Sequence, residues 1–413
     1  LRKQLVLTFL ILTLVGSSPC FAAVDASQPS QKTLDRIEKE VESDHVSSAT
    51  AEALEKMIET DPKNARAHFL MGECLESLGL KDQALDQFEL GVSCGSDYPP
   101  AYVGLVKEYL RQGQLAKAKR LIEEAKKRFP KNYEIEFWLG NFYQSREQYR
   151  EAMTQYEAAE KSEKAILGLG SAIAKIHLRN RNYYDAIVFA NRDLQLKPGY
   201  PLANEIKGLA LYRVGLYKDA IPALSIAFNA SPYNLDIAYA YAQCLYWLGD
   251  YKAALPPALM NMAFNARLNA NDPRSKRLVS EIITRLSSEQ EIARGIVSTG
   301  LKFPINKMPA YHFALGDVLD RNGFNRLAMR EYESGLKLKP DFGRAWYRLG
   351  LDYESIDSNY QTALECYKNA RTYLPGDKQI VWQQSRLEDR LANRKEDLAW
   401  QLKDKMRLLG NKK

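Results

Sequence analysis

The stretch 309–342, PAYHFALGDVLDRNGFNRLAMREYESGLKLKPDF, decides the fold. Its first half, from about 310 to 321, places Leu315, Val318 and Leu319 on one apolar stripe of a helix. Asn322-Gly323 then ends that helix, because glycine tolerates the positive φ that closes one. A second helix, from about 325 to 338, aligns Leu327, Ala328, Tyr332 and Gly335, and Pro340 follows its end. Small residues at Gly316, Ala328 and Gly335 let the two helices approach closely. Neither helix can bury its stripe alone, so the hairpin needs neighbours.

The neighbours come at a fixed interval. Ala84, Ala118, Ala152, Ala186, Ala220 and Ala254 follow one another every 34 residues. Tyr149, Tyr183, Tyr217 and Tyr251 keep the same step, as do Pro130, Pro198 and Pro232 with one gap. This period, with Leu315-Gly316…Ala328…Tyr332…Pro340 and Trp346…Leu349-Gly350…Tyr353, resembles the tetratricopeptide-repeat family over about residues 31 to 377. The resemblance implies an all-α fold: a right-handed α-solenoid of antiparallel helix pairs, about nine to ten repeats counting degenerate ones, ended by a C-terminal capping helix.

In chain order, residues 1–22 read as an export signal: Arg2-Lys3, an apolar run from Leu5 to Val15, and the small-x-small site Cys20-Phe21-Ala22. The run is too short to span a bilayer, and Pro19 and Ser17 argue against lipoprotein processing at Cys20. A small, polar linker covers 23–30. Residues 31–64 form a weak first unit, with stripes Leu34, Ile37, Val41 and Leu54, Met57, Ile58, as a terminal repeat exposing one face should. Six units start at 65, 99, 133, 167, 201 and 235 and end at 268. Pro222 and Pro256-Pro257 in the last two should kink or shorten a helix. The register breaks over 269–308, read as a degenerate repeat with an insertion and a hinge, turn-like at 269–275 and helical over 277–303. Two regular units fill 309–377, and 378–413 is a basic helix whose first part caps the stack.

Charge is informative once located. The net charge of +7 sits in the leader and in 378–413, which holds ten Lys/Arg against five Asp/Glu, so the repeats between are neutral. That excludes a nucleic-acid protein, which needs a basic stripe along its length. The cations Arg394-Lys395, Lys403, Lys405 and Arg407 offer membrane contact through the C-terminal helix. No C-x-x-C, zinc spacing, phosphate loop, G-x-S-x-G or H-E-x-x-H occurs. The four histidines are scattered, with His68 and His312 at the fourth, packing position of their units. The cysteines after the leader read as buried and unpaired. No catalytic, metal or cofactor residue emerges, and no cofactor is expected.

What remains is a binding surface. At 100° per residue, positions 4, 7, 8 and 11 of a unit's first helix cluster on the buried side, and positions 2, 5, 9, 12 and 13 fall opposite. In the family this chain resembles, that opposite face lines a concave groove that binds a peptide or helix. Carried over, it gives Phe69, Phe137, Tyr239, Phe313 and Tyr347 at position 5, and the amides Asn141 and Gln243 at position 9. Positions 9 and 13 pair Lys107 with Arg111 and Lys175 with Arg179; Arg213 adds a cation, and Tyr212, Tyr246 and Trp247 add aromatic area. A cation at a helix C-terminus gains about 0.3–1 kcal/mol from the macrodipole, which accounts for the arginines but not for Lys107 and Lys175. The expectation is a groove over units 99–268 that holds an acidic segment. The chaperone-clamp pattern of the family does not carry over, since position 5 is never lysine. The function implied is a non-catalytic protein-binding scaffold of the bacterial envelope, periplasmic or secreted. A peripheral membrane adaptor and a cell-wall-active enzyme are the alternatives.

Overall fold

The computed structural model describes residues 31–42, 46–94, 97–268, 272–286 and 288–393. They form α-helices joined by short turns, with a 3₁₀ turn at Pro304–Lys307 and no strand among the described residues. The chain divides into two compact bodies, one ending at Ile173 and the other starting at Ala174. The first stacks the pairs Gln31–Glu42/Ser48–Thr60, Ala65–Ser77/Lys81–Ser93, Pro99–Arg111/Leu115–Arg128 and Tyr133–Ser145/Tyr149–Ala159. The second contains Tyr183–Leu196, the pairs Pro201–Arg213/Tyr217–Ala230, Leu235–Trp247/Tyr251–Arg267, Pro309–Arg321/Asn325–Leu338 and Gly343–Ser355/Tyr360–Tyr373, and the atypical helices Pro273–Ile283 and Glu289–Lys302. Leu169–Arg179 carries the boundary.

Three repeat positions explain why each pair closes. Position 8 of the first helix faces position 24 of the second. A Cβ on Gly140 would stand 2.4 Å from the Tyr156 ring, and one on Gly316 would stand 2.6 Å from Tyr332. Where position 8 carries a side chain, position 24 is smaller: Val106 with Ile122, Ala174 with Ala190, Ala242 with Ala258. Position 15 makes the turn in the left-handed region, with φ of 81° at Gly249 and 79° at Gly323. Glu147 and Arg181 hold the same conformation, at 60° and 63°, without glycine. The extra residue of the unit starting at 343 moves that role to Ser358, at 50°.

Position 4 does more than pack. His68 Nε2 lies 3.1 Å from the Pro62 carbonyl, His312 Nε2 lies 2.8 Å from that of Asn306, and Asn204 Nδ2 donates to Pro198 at 2.9 Å. Trp346 Nε1 donates to the Pro340 carbonyl at 2.7 Å. Each satisfies a carbonyl six residues upstream, in the loop entering its unit, that the helix ladder cannot reach.

The weak first unit forms as a helix pair. Ser47 and Thr50 make a capping box, and Leu34, Ile37, Leu54 and Met57 are buried. Pro222, Pro256 and Pro257 do not shorten their helices, and Tyr251–Arg267 runs 17 residues. Ala254, Leu255, Ala258 and Leu259 around the two prolines are buried in the second body's core, which offsets the missing donors. The 269–308 segment also departs from expectation. Its helix begins at Pro273 with Asp272 as N-cap, breaks after Ile283, and restarts at Glu289 with Ser288 as N-cap. Leu278, Val279, Ile282, Ile292 and Ile296 join the same core as Leu255, Leu259 and Leu315, so apolar packing runs through the region where a hinge was expected. Beyond Asp377 the chain is helical over 378–393, where Leu387 packs with Ala363 and Tyr367 and covers the last pair. The expected leader 1–22, linker 23–30 and basic stretch 394–413 lie outside the described residues.

Candidate binding face

In the first body the predicted cations are already committed. Lys107 Nζ lies 2.8 Å from Glu76 Oε2 and 3.7 Å from Glu73 Oε1. The Arg111 guanidinium pairs with buried Glu108, its Nε donating at 2.7 Å. Burial pushes the Glu108 carboxyl up, but the bonds from Arg111 and Gln112 outweigh it and hold the group below its ordinary range. Burial raises Glu73 and Glu134, the latter helped by the charge of Glu73. Phe137 is buried against Trp138 and Tyr156, and Asn141 Oδ1 accepts from the Tyr156 hydroxyl at 2.9 Å. Phe69 is half-buried, with ring centroids of Phe88 and Tyr98 at 5.9 Å and 5.8 Å.

The second body brings several predicted residues together. The Tyr212 hydroxyl donates to Gln243 Oε1, and Gln243 Nε2 donates to the Tyr239 hydroxyl at 3.0 Å. Two successive repeats thus share one hydrogen-bonded line of half-buried polar rings and an amide. Burial, with Tyr239 nearby, pushes the Tyr212 phenol up to about 12, so the hydroxyl stays a donor at neutral pH. The Arg213 guanidinium lies 5.7 Å from the Tyr212 ring centroid and has no carboxylate partner among the described residues. Tyr246 stands edge-on to Trp247 and to Tyr251, each at 5.6 Å. Trp247 itself points toward the turn, stacked at 6.4 Å on Tyr217 of the preceding pair, and is 61% exposed.

The remaining predicted residues are dispersed. Lys175 and Arg179 are exposed, and the Lys175 charge counters the burial that raises Glu205. Phe313 is buried, stacked at 4.3 Å on Phe342, in space that Gly335 leaves open. Tyr347 is half-buried, 6.1 Å from Tyr367. The exposed ring expected at position 5 is therefore a packing residue in Phe137 and Phe313. Sequence reasoning missed Arg274, which lies 5.7 Å from the Tyr239 ring while paired with Asp272 at 2.9 Å. The Asp272-Pro273 helix start was the available signal. It also missed that position 9 meets position 12 of the preceding unit. That single offset links Lys107 to Glu76, Gln243 to Tyr212 and Arg386 to Glu354.

Among the described residues no group of three or more His, Cys, Asp or Glu side chains could hold a metal ion, and no helix is long and apolar enough to cross a membrane. Stacked helical hairpins with a shared interior pattern define a repeat architecture. The sequence profile of the tetratricopeptide repeat matches residues 48–99, 103–166 and 207–260, so the chain carries repeats of that family over those stretches, a fold of protein-interaction scaffolds. No curated protein matches the sequence significantly. Among solved structures, the TPR domain of P58(IPK) is 17% identical, covering 88% of this chain and 98% of its own, with a TM-score of 0.34. Pseudomonas aeruginosa pilF is 18% identical over 50% of this chain and 92% of its own, with a TM-score of 0.39. The human IFIT1 dimer with m7Gppp-AAAA is 15% identical over 83% and 81%, with a TM-score of 0.44.

Proposed function

We propose that this chain is a non-catalytic interaction scaffold of the bacterial envelope that receives a peptide or helix on the first-helix face of its second body. The observation that carries the reading is the line Tyr212–Gln243–Tyr239. Its members are fixed by one another, so a partner loses little further side-chain freedom on docking there. Tyrosine and arginine are also the side chains that most often anchor protein interfaces. Arg213, free of a carboxylate, supplies the acid-binding group that the sequence assigned to several cations. Lys107 and Arg111 leave that role because Glu76, Glu73 and Glu108 occupy them. The basic, then apolar, then small-residue pattern of 1–22 supports an exported location.

A photoreactive side chain placed at Tyr239, with Ile226 on a second helix as the control position, tests the reading in intact cells. Adducts at 239 that disappear with Gln243→Ala and are absent at 226 are expected. Equal labelling at both positions would contradict the assignment.

A further inference from the structure

One edge of the second body presents apolar side chains that the proposed binding face does not use. The turns between the paired helices fall at 180–182, 214–216 and 248–250, with Arg213 and Trp247 ending the helices that lead into the last two. Antiparallel stacking brings successive turns to the same edge, and the Trp247 ring stacked on Tyr217 shows two of them in contact. Leu216, Trp247 and Leu248 are 44%, 61% and 49% exposed there. Beneath them Tyr217, Tyr246 and Tyr251 are half-buried, each with a hydroxyl on an otherwise apolar ring. Arg181 and Arg213 stand exposed on the neighbouring turns. The one acid on these turns, Asp250, already accepts the Ala253 N–H at 3.0 Å; Asp219 lies one step back, beside Lys218.

We propose that this turn edge docks on an anionic lipid surface, with Trp247, Leu248 and Leu216 entering the interface and Arg181 and Arg213 meeting lipid phosphates. Tryptophan and tyrosine favour the headgroup level, where ring and polar atom are both satisfied. Arginines flanking an apolar insertion add attraction to acidic headgroups. The apolar side chains protrude from turns, a shape that suits a soft interface better than a protein partner, which must supply a matching hollow. This proposal shares Arg213 with the peptide-binding reading, whose face otherwise uses Tyr212, Gln243 and Tyr239; the substitutions at Leu216, Trp247 and Leu248 leave those four in place, so the two readings fail separately.

The test is flotation of the full chain with phosphatidylcholine vesicles, with and without admixed phosphatidylglycerol. Binding is expected only with the anionic lipid and should weaken as salt rises. The triple variant Leu216→Ser, Trp247→Ser, Leu248→Ser should lose roughly tenfold or more in vesicle affinity while keeping its helical circular dichroism. Replacing Arg394, Lys395, Lys403, Lys405 and Arg407 together by glutamine should leave a binding component that the triple variant removes. No binding to anionic vesicles, as expected if the edge meets a protein, overturns the proposal. So does binding that survives the triple variant and disappears with the five glutamines.

Discussion

Asp352 is the place where a small change should have a large, pH-dependent effect. It stands on Gly343–Ser355 at the repeat position filled elsewhere by Cys74, Phe142, Ile176, Ala210, Cys244 and Val318, and by Glu108, whose buried carboxylate is satisfied by Arg111 as Asp352 Oδ2 is by nothing. The side chain is 6% exposed in residue terms, and its Oδ2 has no hydrogen-bond partner. Burial, reinforced by the charge of Asp320, pushes the carboxyl from 3.8 up to about 7. Arg348 pulls the other way, but it already bridges Asp320 at 3.4 Å. Below the unfolded value both states are protonated and the group contributes no pH dependence. Between that value and the folded one, only the unfolded chain releases the proton, so stability falls as pH rises. The slope is about 1.4 kcal/mol per pH unit, or about 4 kcal/mol across the window. Above it both states are ionised and the penalty stays constant. Asp352→Asn removes the charge at nearly equal volume. It should stabilise the terminal pairs by a few kcal/mol near pH 8 and change little near pH 4. Terminal repeats open on their own, so the readout is hydrogen exchange over Gly343–Ser355 and Tyr360–Tyr373, corrected for intrinsic rates. Equal effects at both pH values, or destabilisation near pH 8, would show the carboxylate to be ionised and satisfied.

Three further outcomes follow from the same geometry. Gly316→Ala should cost about 1–3 kcal/mol by driving a methyl into Tyr332, and should cost less in a Tyr332→Ala background, where the pair resembles Ala174 and Ala190. Urea unfolding of the four-member cycle measures the coupling, and additive effects would refute the contact. Arg181→Gly should stabilise the second body by about 1 kcal/mol, because its φ of 63° strains any side chain with a Cβ; an unchanged urea midpoint would contradict this. Burial pushes the Cys74, Cys244 and Cys366 thiols up to about 12, while Cys94 is half-buried. Iodoacetamide should therefore label Cys94 ahead of Cys74, Cys244 and Cys366 in the native protein, as mass spectrometry of the peptides would show; comparable rates at these four would contradict it.

The hairpins were legible in the sequence because their determinants are local. A small residue at position 8 facing a size-matched side chain sixteen residues on, and a turn residue at position 15, recur in most units, and periodicity exposes them. Even the one-residue insertion near 357–359 is visible, and Ser358 absorbs it in the turn. The binding face was harder because its determinants cross units. Whether Lys107 is available depends on Glu76, 31 residues upstream in another repeat. Helical geometry within one unit could name the outward positions but not what neighbouring units place opposite them. The burial of Phe137 and Phe313 was missed inside the unit itself: Tyr156 and Phe342 belong to the same repeats, and the periodicity of the first helix alone does not show where the rest of the hairpin lays its rings. The atypical 269–308 segment failed for a different reason. Its two helix starts, at Asp272 and Ser288, are signalled by caps and not by the alanine-glycine pattern that marked the other units.

The central claim is that the first-helix face of the second body, and not its outer helices, grips a partner. Hydrogen exchange on the chain purified with its crosslinked partner tests this directly. The account predicts slowed exchange over Pro201–Arg213 and Leu235–Trp247 with Tyr217–Ala230 unchanged. Protection confined to Tyr217–Ala230, or spread evenly over all three helices, would contradict it.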